Sequence, residues 1–163
     1  MHWIVSAEST DAKFNYIRWP GNYNTLLGNL KKIQKLPHKV TINMTWNLLC
    51  VSNILEFIDD MMANGVHPNQ FVMNYVHDPI EQSVLNITNQ RRDTLLKEIE
   101  RRKENTNEKF FLFKVYEEMI EILTRPLLDT HRTALYNMLS DFDKKRKLDS
   151  RAVFPELYEE EQI

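Results

Sequence analysis

Apolar residues follow two rhythms over the first half of the chain. His2 to Glu8 (HWIVSAE) is a short apolar run with Trp3, Ile4 and Val5, closing on polar residues, the pattern of a strand. From Asn22 to Lys35, Leu26, Leu27, Leu30 and Ile33 recur at helical spacing until Pro37 stops them. Lys39 to Thr45 (KVTINMT) alternates with period two and runs into Trp46 and Asn47. Ser52 is the expected N-cap of a helix through Ala63, with Ile54, Leu55, Phe57, Ile58, Met61 and Met62 on its buried face and Asn64-Gly65 as its stop. Gln70 to Val76 (QFVMNYV) reads as a third strand, closed by His77-Asp78-Pro79. The strand starts lie roughly 37 and then 31 residues apart, the length of βα units, so right-handed crossovers and a parallel sheet are expected. Three strands are few for a closed barrel, and with an outer strand starting at residue 2, either the sheet is complete as it stands or one of its edges is open to a partner.

The second half reads as helical. Asn89 to Lys103, Glu108 to Leu123 and Leu128 to Phe142 carry apolar residues at helical spacing, separated by the polar turn Glu104 to Asn107 and by Pro126. A basic run, Lys144 to Lys147, and an amphipathic tail, Phe154 to Tyr158, follow. The change of rhythm suggests two regions, 1–87 with the strands and 88–163 with the helices.

Composition narrows the chemistry mainly by exclusion. A chain of 163 residues is long enough for one domain with a real core, and its 42% hydrophobic and 27% charged content is that of a globular protein. Its 21 Lys and Arg against 23 Asp and Glu leave a net charge of −2, so no global field recruits nucleic acid or anionic lipid. No apolar run approaches the ~20 residues of a membrane span, and no signal peptide is legible, so neither membrane nor nucleic acid is an expected partner and the expected compartment is the cytoplasm. One cysteine, Cys50, allows no intrachain disulfide and no Cys₄ metal or cluster site. Three glycines leave no glycine-rich phosphate loop, and neither HExxH nor GxSxG occurs.

Several separated pieces, in order, resemble the C-terminal half of radical S-adenosylmethionine (radical SAM) proteins of the SPASM/twitch kind. Val5-Ser6-Ala7-Glu8-Ser9-Thr10 resembles that family's fourth barrel strand and its turn, and Tyr16-Ile17-Arg18-Trp19-Pro20 the Y-I-R-aromatic-P that follows. Val40 to Asn47 is similar to the fifth strand, and Phe71 to Pro79, continuing to Ser83, to the sixth strand with its D-P-x-x-x-S loop. Phe142-Asp143 through Arg151, then Val153-Phe154-Pro155-Glu156-Leu157, resembles the closing D-x-x-R…F-P-E-L of twitch members. The family's CxxxCxxC loop has no counterpart here, and Ala7-Glu8-Ser9 stands where the family has a hydrophobic residue, Asp and Gly.

The resemblance implies an α/β fold: a three-stranded parallel sheet as part of a radical SAM (βα)₆ partial barrel, followed by C-terminal helices of twitch type. It implies S-adenosyl-L-methionine as cofactor, and a [4Fe-4S] cluster only where a separate N-terminal half supplies it. The chain would then be an enzyme component, inactive alone, whose partner is that half or another protein pairing with the first strand edge. The substrate is not legible.

The resemblance places SAM at Ser6, Glu8, Arg18, Thr45 and Asn47. Ser6 and Glu8 lie two apart, the spacing that aims two strand side chains to one face; they meet ribose hydroxyls, or Glu8 caps a turn. Arg18 grips a carboxylate of SAM or substrate, or forms an ion pair with Glu8 or Asp11. Thr45 and Asn47 meet an adenine edge, or Asn47 serves the helix entry. His77 and Asp78 lack companions at metal spacing and read as a loop turn, Cys50 as a small buried hydrophobe, and the paired basic residues of the helices as a solvated face.

Overall fold

The computed structural model describes residues 1–128 and 132–158. Strands β1 (His2–Ser6), β2 (Lys39–Trp46) and β3 (Phe71–Tyr75) form one all-parallel sheet in the order β1-β2-β3. Period two decides its faces. Val40, Ile42, Met44 and Trp46 of β2 are buried, with Phe71 and Met73 of β3 on the same side. Lys39, Thr41, Asn43 and Thr45 alternate with them on the other side, which no described helix buries.

Eight helices accompany the sheet among the described residues: α1 (Asp11–Ile17), α2 (Tyr23–Ile33), α3 (Ile54–Ala63), α4 (Asn89–Glu104), α5 (Phe111–Leu123), α6 (Arg132–Arg146), α7 (Ser150–Val153) and α8 (Pro155–Tyr158). Their apolar faces join the covered side of the sheet in one core, in which Ile42 and Phe57 share a cluster with Ile99, Met119, Leu139 and Phe154. The strand region and the helical region therefore bury their side chains together. No described helix is long and apolar enough to cross a membrane.

Element boundaries move for local reasons. The first strand ends at Ser6 rather than running to Glu8, because Glu8 turns inward and is buried. Helix α1 has no counterpart in the sequence reading: only Phe14 and Tyr16 of its seven residues are buried, too short an apolar pattern to register. Ser52 does not cap α3. Asn53 holds that position, while the Ser52 hydroxyl donates to Glu156 Oε1 at 3.0 Å and accepts from Arg91 at 3.1 Å. Gln70 leaves β3 for a 3₁₀ turn, where its side chain accepts the His67 N–H. The helix expected from Glu108 starts at Phe111, since Asn107 first builds a turn by accepting from Lys109 N and Phe110 N. The helix expected over Leu128 to Phe142 is described from Arg132 and continues to Arg146, taking in most of the basic run; residues 129–131 lie outside the described residues.

The Asn53 side chain fastens the loop after β1 to the start of α3. Its Oδ1 accepts the Thr10 N–H at 2.8 Å and its Nδ2 donates to Thr10 Oγ1 at 3.2 Å, all within buried surroundings. Asn53→Ala orphans a buried N–H and is expected to lose about 2 kcal/mol in urea unfolding. An unchanged midpoint would show that the bridge contributes nothing.

Candidate functional site

Ligands of parallel sheets gather at the C-terminal ends of the strands, and here those ends carry two distinct polar groupings. The first is a row on the uncovered face. Register sets Ser6 beside Asn43, and Thr45 beside Asn74. The Asn74 amide donates to Asn43 Oδ1 at 2.8 Å, joining β2 and β3 across the open face. Ser6 and Asn74 are exposed, Asn43 and Thr45 partly so. This row is polar and uncharged, with hydroxyl and amide groups that both donate and accept.

The second grouping lies behind the strand ends and is buried. Glu8, 1% exposed, accepts from Arg18 through one oxygen, Oε2, with Nη2 at 2.6 Å and Nε at 3.1 Å. Burial pushes the Glu8 carboxyl above its ordinary range, and the Arg18 guanidinium opposes that rise. Arg18 reaches Glu8 from just beyond α1, where its N–H closes the helix on Phe14 O. The following loop is tight: a Cβ added at Gly21 would sit 2.6 Å from Arg18 O, so only glycine fits there.

Of the residues read from sequence, Ser6 and Thr45 share the uncovered face. Glu8 and Arg18 form an ion pair with one another. Asn47 is buried and shapes its own turn, donating to Thr45 O at 2.9 Å and accepting from Leu49 N at 2.9 Å. Asn43 was not singled out from sequence, although the alternation of KVTINMT already places it on the face of Thr45. His77 stands against Tyr75, ring centroids 3.8 Å apart, and no group of three His, Cys, Asp or Glu among the described residues is placed to hold a metal ion. Cys50 is fully buried; its Sγ lies 3.3 Å from Asn47 N and 3.4 Å from Asn47 O, and burial pushes its thiol far up.

A separate groove of 860 Å³ lies between the start of α3 and α4. Its apolar floor includes Val51, Leu55 and Leu95, and its Arg102 is held by Asp59 and Glu98. Comparison of the chain with protein-family models, with curated proteins and with solved structures finds no match.

Proposed function

We propose that this chain is the cofactor- and substrate-side component of a radical SAM-type barrel, its uncovered sheet face holding the ribose and adenine of S-adenosylmethionine. The observation that carries the reading is the uncharged row Ser6, Asn43, Thr45 and Asn74 on the bare face of a parallel sheet, at the strand ends. A ribose and an adenine edge are uncharged donor–acceptor arrays, and hydroxyls and amides complement them. Arg18, one-third exposed in its side chain, holds Glu8 through Nε and Nη2, and its remaining Nη1 is the donor that would meet the anionic end of such a ligand. The ordered motif resemblance supports the same reading.

The chain's own donors do not fit an iron–sulfur cluster. Its single cysteine is buried and its thiol is turned to backbone atoms. The cluster, and the radical chemistry that depends on it, belong on another polypeptide in this reading. This chain binds and orients.

Millimolar S-adenosylmethionine added to the isotope-labelled chain is expected to shift amide resonances at Ser6, Asn43, Thr45 and Asn74 and to leave the groove between α3 and α4 unmoved. Asn43→Leu should abolish those shifts. Perturbation confined to the groove, or none at all, overturns the reading. Anaerobic incubation with iron and sulfide should leave the isolated chain without bound iron.

One observation favours a second reading, an interaction module that docks through the β1 edge. Ile4 is 65% exposed, and Trp3 is 38% exposed although its neighbour in register, Val40, is buried. If that edge is the working surface, Ile4→Lys abolishes partner capture while the response to S-adenosylmethionine is nil.

A further inference from the structure

Cations and carboxylates are unevenly divided along this chain. Residues 12–55 hold six Lys and Arg and no Asp or Glu. Two of the six are in ion pairs: Lys13 with Glu156 and Arg18 with Glu8. The other four, Lys31, Lys32, Lys35 and Lys39, all fall between the last turn of α2 and the first residue of β2. All four are exposed, and no described carboxylate lies within ion-pair distance of any of them. Elsewhere several basic residues have acidic partners: Arg101 and Arg102 of α4 pair with Glu98, Lys103 with Glu117, and Arg125, just beyond α5, with Glu121.

Local geometry gathers the four lysines. The turn after α2 continues the helical path, with Lys35 N donating to Lys32 O and Leu36 N to Ile33 O. Lys31 and Lys35 are therefore one turn apart, and Leu36 follows on the adjacent row. Lys39 opens β2 at the N-terminal end of the sheet, opposite to the strand ends that carry the uncharged row. Leu36, 46% exposed, and Pro37, also exposed, supply an apolar spot amid the lysines. Lys31 and Lys32 suit the C-terminus of a helix on dipole grounds alone, but that effect fades within one turn and accounts for neither Lys39 nor the bare Leu36.

We propose that this surface docks an acidic segment of a partner protein, one that sets an aliphatic side chain between carboxylates. Charge complementarity selects the acid, and Leu36 with Pro37 selects the aliphatic residue. Nucleic acid fits less well, since residues 31–39 contain no arginine to grip phosphate in two-point fashion and no Phe, Tyr or Trp, only the half-buried His38, on which a base could stack. A membrane surface fits less well too, since the patch offers one leucine rather than an apolar helix face.

The test is fluorescence anisotropy on the full chain with a fluorescein-labelled peptide of repeated Glu-Glu-Leu triplets, set against an oligothymidine strand and phosphatidylserine vesicles. Saturable peptide binding is expected, weakening about tenfold when salt rises from about 50 to about 500 mM. Lys31→Glu with Lys35→Glu should weaken it by a further ~10-fold, and the milder Lys35→Gln with Lys39→Gln about threefold. Reversing Lys144 and Lys145 to Glu on α6 should change it little. Tighter binding of the oligonucleotide or the vesicles than of the peptide overturns the proposal. So does equal loss in the α6 variant, or undiminished binding by both patch variants with native circular dichroism.

Discussion

Arg18→Met is expected to cost about 3 kcal/mol at neutral pH, because it strands a buried carboxylate. Glu8 is 1% exposed and has its charged hydrogen bonds from Arg18. Removing the guanidinium leaves the desolvation of the charge without its compensation. The pH dependence gives this prediction a signature. Burial already raises the Glu8 carboxyl above its ordinary value of 4.5, so the folded chain keeps that proton to higher pH than the unfolded chain does. A group of this kind lowers stability as pH climbs from the unfolded value through the folded one. Without Arg18 the folded value rises further. The deficit of the variant should therefore be full at pH 7 and shrink steadily as the pH is lowered toward 4.5. Urea unfolding of the wild-type and variant chains across that range measures it. A deficit that stays flat with pH would mean that Glu8 is not the group left stranded. Glu8→Gln in the Arg18→Met background should recover part of the loss, since a neutral amide carries no charge to desolvate.

Asp143→Ala is expected to lose about 3 kcal/mol by a different route, the orphaning of buried donors. One Asp143 carboxylate oxygen accepts the Tyr16 hydroxyl at 2.8 Å, and the other accepts the Ser150 hydroxyl at 2.7 Å, with Ser150 N–H donating to both. Tyr16 and Ser150 are each 1% exposed. Burial and the Asp143 carboxylate together push the Tyr16 phenol above its ordinary range, which keeps it a donor at every working pH. Around this acid the last helices are tied to α1: Arg146 donates to Tyr16 O at 3.2 Å, and Phe154 meets the Tyr16 ring edge-on, centroids 5.1 Å apart. Thermal unfolding measures the loss, and hydrogen exchange should show α7 losing protection first. Asp143→Asn keeps one acceptor oxygen and sets a donor amide on the other side, so it should lose less, about 1–2 kcal/mol. Equal losses in the two variants would remove the hydrogen-bond explanation.

Much of the candidate site was legible because it obeys a local rule. The alternation in Lys39 to Thr45 assigns Ile42 and Met44 to the core and Asn43 and Thr45 to the bare face before any fold is known. The burial of Cys50 follows from its apolar neighbours in the same way. Glu8 shows where the rule stops. Two-residue spacing from Ser6 predicts a shared face only while the strand continues, and β1 ends at Ser6, leaving Ser6 exposed and Glu8 buried. The ion pair of Arg18 with Glu8 forms, with the carboxylate buried and the guanidinium partly exposed.

Three parallel strands, and the apolar face of the central one, could be read from the residues alone. Periodicity and composition are properties of neighbouring residues, so they survive without tertiary information. Only the folded chain decided that Asn53 and not Ser52 stands at the start of α3, that Thr10 is bonded across 43 positions to Asn53, and that Asp143 gathers Tyr16 across 127. Those choices rest on which buried polar groups find partners, and partners distant in sequence are set by packing, where an unpaired donor costs more than a lost local cap.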